Sequence, residues 1–213
     1  MKQGVNVLSR MAACMGLIFV LSAELSAADL NAQISSCNAC HGEVGVSKSD
    51  AFPSIAGLSS PYIIDSFAAY KDKARPCEKK AYLTGPRQGE KDDMCRLSDT
   101  LSPQQVKLLA DYYAGQPFVQ ATQPFDPQLA KRGASLHQSQ CAKCHEAAGS
   151  IADDDSGILA GQWMGYMQEQ FDAYASGKRA MPEKMKQKMD KLTAEDSKAL
   201  IHYYGSFQGQ PSE

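Results

Sequence analysis

No stretch of the 213-residue chain alternates Val, Ile and Thr with polar residues, and without that period of two nothing reads as a β-sheet. Positive charge is not in excess either. Against 22 Lys and Arg stand 24 Asp and Glu, a formal net charge of −2, which sets aside nucleic acid as a partner. Histidine is scarce, with 4 in the chain against 7 cysteines. A zinc site needs four ligands of similar kind, and a thioredoxin-like dithiol needs a βαβ setting. Neither context surrounds these cysteines.

The one sustained apolar run is N-terminal, in "MKQGVNVLSRMAACMGLIFVLSAELSAAD". Lys2 and Arg10 lead it, residues 11–21 form it, and Ser26, Ala27 and Ala28 supply small residues at a cleavage site, the order of an export signal. At this length it falls short of the roughly 20 residues of a spanning helix. The expectation is a signal peptide over residues 1–28 and a soluble periplasmic chain from Asp29, with no membrane span.

Two short stretches carry the chemistry: "SSCNACHGEVG" and "SQCAKCHEAAG". Each sets two cysteines three apart with a histidine directly after the second, the spacing of covalent c-type haem attachment. On a helix, residues three apart share a face, so Cys37 and Cys40, or Cys141 and Cys144, can form thioethers to one porphyrin edge while His41 or His145 reaches the iron. Two covalent haem c groups are therefore expected. Cys14 leaves with the leader, and Cys77 and Cys95 remain. In an oxidising compartment this even pair reads as a disulfide, closing a loop of about 18 residues and contributing about 3 kcal/mol if unstrained, with two free thiols as the alternative.

The motifs belong to a repeat. At an offset of 104, Cys37, Cys40 and His41 pair with Cys141, Cys144 and His145, and Tyr62, Phe67, Tyr70 and Arg75 with Tyr166, Phe171, Tyr174 and Arg179. Beyond Arg75 the first copy holds extra residues, and the register resumes at 91, pairing Met94 with Met185 and Tyr112 and Tyr113 with Tyr203 and Tyr204. Each half reads as helical. Ser102-Pro103-Gln104-Gln105, Ser60-Pro61 and Asp126-Pro127 are helix starts, and three prolines in 116–127 interrupt the periodicity. The expected fold is all-α: a first domain over 29–118, a linker over 119–127 and a second domain over 128–213.

Met94 is the only methionine between the first motif and the last helix of its half, seven residues before Leu101. Counting seven back from Leu192 selects Met185 as the second sulfur ligand, with Met181 and Met189 as the alternatives. Arg75 and Arg179 stand just before these ligand segments, where a guanidinium can pair with haem propionates; the alternative is an exposed arginine in a Lys-rich stretch. Tyr70, Tyr174 and Trp163 read as packing residues and His137 as a solvated helix residue. Lys178, Arg179, Lys184, Lys186, Lys188 and Lys191 form a basic stretch that either steers an acidic redox partner or is simply solvated.

With two motifs, a methionine downstream of each and a closing Tyr-bearing helix, both halves resemble class I cytochrome c domains, and the mature chain resembles the tandem diheme cytochromes of the bacterial periplasm. "LHQSQCAKCHEAAG", "ILAGQWMGYMQEQFDAY" and "KRAMPEKMKQKM" are similar to the diheme subunit of flavocytochrome c sulfide dehydrogenase. The segment "PCEKKAYLTGPRQGEKDDMC" departs from that family. The resemblance implies a flavoprotein subunit that oxidises sulfide, with this chain accepting the electrons and passing them to a small soluble carrier. It would then be an electron-transfer subunit with no catalytic residues of its own. Two other readings compete: a free diheme carrier serving terminal oxidases or another dehydrogenase, and a haem enzyme, which needs an open iron position.

Overall fold

The computed structural model describes residues 27–154 and 156–209; the leader expected over residues 1–28, with Cys14, lies outside them but for its last two residues. In chain order the elements are α1 (Ala27–His41), α2 (Ser60–Lys71), β1 (Lys80–Ala81), β2 (Lys91–Asp92), α3 (Met94–Thr100), α4 (Pro103–Ala114), α5 (Pro127–Leu136), α6 (Met164–Ala175), α7 (Glu183–Met189) and α8 (Ala194–Gly205). In each half the first and last helices pack together, α1 on α4 and α5 on α8. Gly133 makes the second crossing close, since a Cβ there would fall 2.1 Å from the Ala199 carbonyl oxygen.

Local chemistry sets the helix starts. Ser102 and Gln105 form a capping box at α4, and Thr193 and Asp196 form one at α8, each satisfying two backbone donors that the helix itself leaves open. Asp126 caps α5. At α2 the cap is Ser59, whose Oγ accepts from Tyr62 N, one residue earlier than Ser60-Pro61 implied. Pro61 still sits in the first turn, where its missing N–H costs nothing.

The repeat is visible in the backbone. Ile55 N donates to Gly45 O and Leu159 N to Gly149 O, both at 2.8 Å, while Gly57 N donates to Tyr113 O and Gly161 N to Tyr204 O at 2.9 and 2.8 Å. Val44 and Ala148, again 104 apart, both hold positive φ, 48° and 62°, a costly conformation for residues with a Cβ. Each immediately follows the segment leaving a Cys-x-x-Cys-His motif.

A small antiparallel hairpin, Lys80 opposite Asp92 and Ala81 opposite Lys91, corrects the reading that no strand is present. Two residues per strand are too few for alternation to show, and the turn between them relies on Gly85 and Gly89 at φ 80° and 84°. The hairpin occupies the insertion that the first half carries. Its base is closed by a disulfide between Cys77 and Cys95.

The halves share buried bonds. The Gln162 amide, 3 % exposed, donates to Ser54 O at 3.0 Å and accepts from Ser54 N at 2.9 Å. Trp163 Nε1 donates to Ser47 O at 3.0 Å, and Ile158 of the second half packs in the core of the first with Leu58, Ile63 and Leu109. Replacing Gln162 by Ala leaves the buried Ser54 N–H and C=O without partners, at about 1–3 kcal/mol for each. Urea unfolding of Gln162→Ala is expected to show a midpoint lowered accordingly, with the helical circular dichroism of the native state retained.

Two haem cradles

In the first half α1 ends on the motif itself, so Cys37, Cys40 and His41 lie on its last turn. They open onto a cavity of about 410 Å³ whose wall also contains Met94, at the first turn of α3, and the apolar side chains of Phe52, Leu58, Ile63 and Leu109. His41 Nδ1 lies 3.0 Å from Pro53 O. A carbonyl can only accept, so Nδ1 carries the proton and Nε2 keeps its lone pair for a metal, the arrangement of a ligating imidazole held by an outer carbonyl. Burial keeps the ring's pKa below its ordinary value. Burial also pushes the Cys37 thiol up to about 11.

The second half contributes to that same cavity: Tyr166, Glu169 and Gln170 of α6 line it. None of them was singled out from the sequence as a contributor to the first site. The available signal was the pairing of Tyr166 with Tyr62, which placed both tyrosines in matching positions without showing that either reaches an arginine of the other half.

The two arginines meet the tyrosines across the seam. Arg75, 6 % exposed, donates from Nη2 to Tyr166 OH at 3.1 Å and stacks over Tyr70 at 4.4 Å. Arg179, half-buried, stacks over Tyr174 at 4.5 Å, donates to Gln170 Oε1 at 2.6 Å and reaches Tyr62. Burial opposes ionisation of the Tyr62 phenol, yet the Arg75 and Arg179 charges offset it and bring its pKa below the ordinary value. Neither arginine is an exposed residue of a Lys-rich stretch. Arg75 Nε is buried and, among the described residues, has no hydrogen-bond acceptor. Such a donor fits a carboxylate, the group a haem propionate supplies.

In the second half the helix changes pitch before the motif: α5 passes into a π-helical turn over His137–Cys141, a distortion common at functional sites. Cys141 and His145 are half-buried and Cys144 is exposed. His137, expected to be solvated, is 3 % exposed; its Nδ1 lies 3.0 Å from Tyr204 OH, and its ring packs against Tyr203 and Tyr204. The tight α5–α8 crossing turns it inward. Met181, Met185 and Met189 are all half-buried, so burial does not select among them.

The chain's relatives agree with this chemistry. Residues 128–203 match the family model described as cytochrome C oxidase, cbb3-type, subunit III. Cytochrome c4 of Stutzerimonas stutzeri is 28% identical over 185 residues, covering 80% of this chain and 84% of the relative. The thiosulfate dehydrogenase electron acceptor of Thiomonas intermedia is 29% identical over 158 residues, 70% of this chain and 66% of the relative. Cytochrome c-554(548) of Halomonas halodenitrificans is 31% identical over 84 residues, 39% of this chain and 88% of the relative. The crystal structure of reduced recombinant cytochrome c4 from Pseudomonas stutzeri superposes with a TM-score of 0.67 at 26% identity, covering 86% of this chain and 99% of that one.

Fold and cradles together define a c-type cytochrome that carries two covalent haem c groups and transfers electrons. The chain belongs to the class I cytochrome c family, among the diheme proteins similar to cytochrome c4. Among the described residues no helix is long and apolar enough to cross a membrane.

Because the reactive form of a thiol is its thiolate, the high pKa of Cys37 predicts slow alkylation in the haem-free chain. Iodoacetamide labelling of Cys37, followed by peptide mass spectrometry, is expected to be slow at pH 8 and to accelerate steeply only as the pH approaches 11. A rate that levels off below pH 9 would contradict the burial described.

Proposed function

We propose that this chain is the periplasmic electron-accepting subunit of a dehydrogenase for reduced sulfur, with a flavin-bearing sulfide dehydrogenase as its partner and a small soluble carrier as the next acceptor. The observation that carries this reading is the first cradle, where Cys37, Cys40 and His41 share one cavity with Met94, together with the repeat of the Cys-x-x-Cys-His motif in the second half. Motif similarity of the second half to the sulfide dehydrogenase subunit supports the choice of partner. The likeness to a thiosulfate dehydrogenase electron acceptor supports the sulfur class. The likeness to cytochrome c4 favours a second reading, a free diheme carrier serving terminal oxidases or another dehydrogenase.

In this proposal the first domain spans 29–118, a linker 119–127 and the second domain 128–213. Cys37 and Cys40, and Cys141 and Cys144, hold the two groups covalently. His41 and Met94, and His145 and Met185, would ligate the irons, and Arg75 and Arg179 would pair with propionates. A haem iron held by histidine and methionine would supply one-electron transfer at a raised potential. The protein's own part is orientation and exclusion. Pro53 O fixes the tautomer of His41, Phe52, Leu58, Ile63 and Leu109 give the cavity an apolar wall, and the disulfide restrains the start of α3, where Cys95 directly follows Met94.

Two measurements test this. Met185→Ala is expected to remove about half of the sulfur-to-iron charge-transfer band and Met181→Ala none of it; the reverse pattern assigns the earlier methionine. Purification of the native protein at low ionic strength is expected to bring down a flavin-bearing chain, and a chain that elutes alone and without flavin supports the free carrier.

A further inference from the structure

The insertion that sets the first half apart from the second is folded onto the attachment motif. Leu83 N and Thr84 N both donate to Ala39 O, at 3.0 and 3.2 Å, so the hairpin lies along the residues between Cys37 and Cys40. It is anchored from inside: Tyr82, 3 % exposed, donates its phenol to Asp92 at 3.0 Å, and Asp92 is paired with Arg87 and Arg96. Lys80 pins the base to the second half through Glu169 and to the first through Ala51 O. Lys80, Tyr82 and Asp92 are themselves cavity wall. Under this cover Ala39 is 7 % exposed and Cys40 is half-buried.

The second half has no counterpart. Lys143 and Cys144, which match Ala39 and Cys40, are exposed. Beside them runs the 178–191 segment, five lysines against Glu183 and Asp190, tied to the motif where Lys188 Nζ donates to Gln140 Oε1 at 3.4 Å. Electron transfer between molecules falls steeply with the separation of the redox centres, so the thickness of one hairpin decides which end of the chain a partner uses. A basic rim around the open end recruits a partner of opposite charge.

Resting on the reading of both motifs as haem attachment sites, we propose that the 80–92 hairpin closes the first motif to redox partners and that electrons pass between this chain and other proteins at the second. There an acidic face of an electron-transfer protein docks on Lys143, Lys184, Lys188 and Lys191. Each encounter moves one electron: one molecule is oxidised by one equivalent and the other reduced by one.

The test uses the two-haem protein. In its reduced state a soluble, neutral gadolinium chelate is expected to broaden the NMR signals of Lys143 and Cys144 and to spare Ala39 and Cys40. Replacing residues 83–89 by Gly-Gly is expected to bring Ala39 and Cys40 within reach of the chelate. Where that variant does not fold, Lys188→Glu with Lys191→Glu carries the test. Oxidation by ferricyanide, an anionic probe, at low ionic strength is expected to slow about tenfold over the whole haem absorbance change, and to converge on the unaltered protein at high salt. Slowing confined to half of the absorbance change, no slowing, or equal broadening at both motifs in the unaltered protein overturns the proposal. Failure of the two-haem reading registers separately, as fewer than two haems per chain in an alkaline pyridine assay.

Discussion

A guanidinium withdrawn from water must be given oxygen or π-electron density in return, and the arrangement of the two halves answers that demand at Arg75. The side chain cannot shed its charge, and burying it without partners would cost several kcal/mol. Its own half supplies the face of Tyr70; the phenol oxygen comes from Tyr166, in the other half. Arg179 repeats the arrangement from the opposite side with Tyr174 and Tyr62. The seam is thus a reciprocal exchange in which each arginine takes a partner from the other half's tyrosine, Arg75 Nε alone keeping its proton for a further acceptor. This also brings Tyr166, Glu169 and Gln170 to the wall of the first cavity.

Duplication makes the halves alike, and a single insertion makes them different. Both retain the glycine contacts to the closing tyrosines and the strained residue after the motif. The first half then adds a hairpin, a disulfide and an acid held between two arginines. Asp92 accepts from Tyr82 and two guanidinium groups, and chiefly the Arg96 hydrogen bond holds its carboxyl far below the usual range. The stabilisation from that depressed pKa is present above the ordinary carboxylate value and fades only as the pH falls towards strongly acid conditions.

Much of the fold was legible because it repeats. The offsets of 104 and 91 located the insertion, the cap-proline signals fell within one residue of the helix starts, and the leftover cysteine pair is bridged. What escaped was non-local. Strands of two residues have no period to detect, so the hairpin was read only as extra residues in the first copy. His137 carries a polar side chain in a helix whose inward face is set by the close crossing at Gly133 and Ala199, a contact 66 residues away in sequence. Arg75 and Arg179 were legible as equivalent residues, yet their partners lie across the seam, which no spacing within one half reveals.

The Lys80 ammonium, carried on the hairpin, bonds two other parts of the chain at once: the Ala51 carbonyl before α2 and Glu169 on α6. With the Gln162 bonds to Ser54 and the Arg75 bond to Tyr166, it means that neither half alone holds a complete set of partners for its buried polar groups. Either half, freed from the other, would expose unmet donors and acceptors together with the apolar contacts of Ile158. Two cytochrome-like units thus depend on each other for the partners of their buried polar groups.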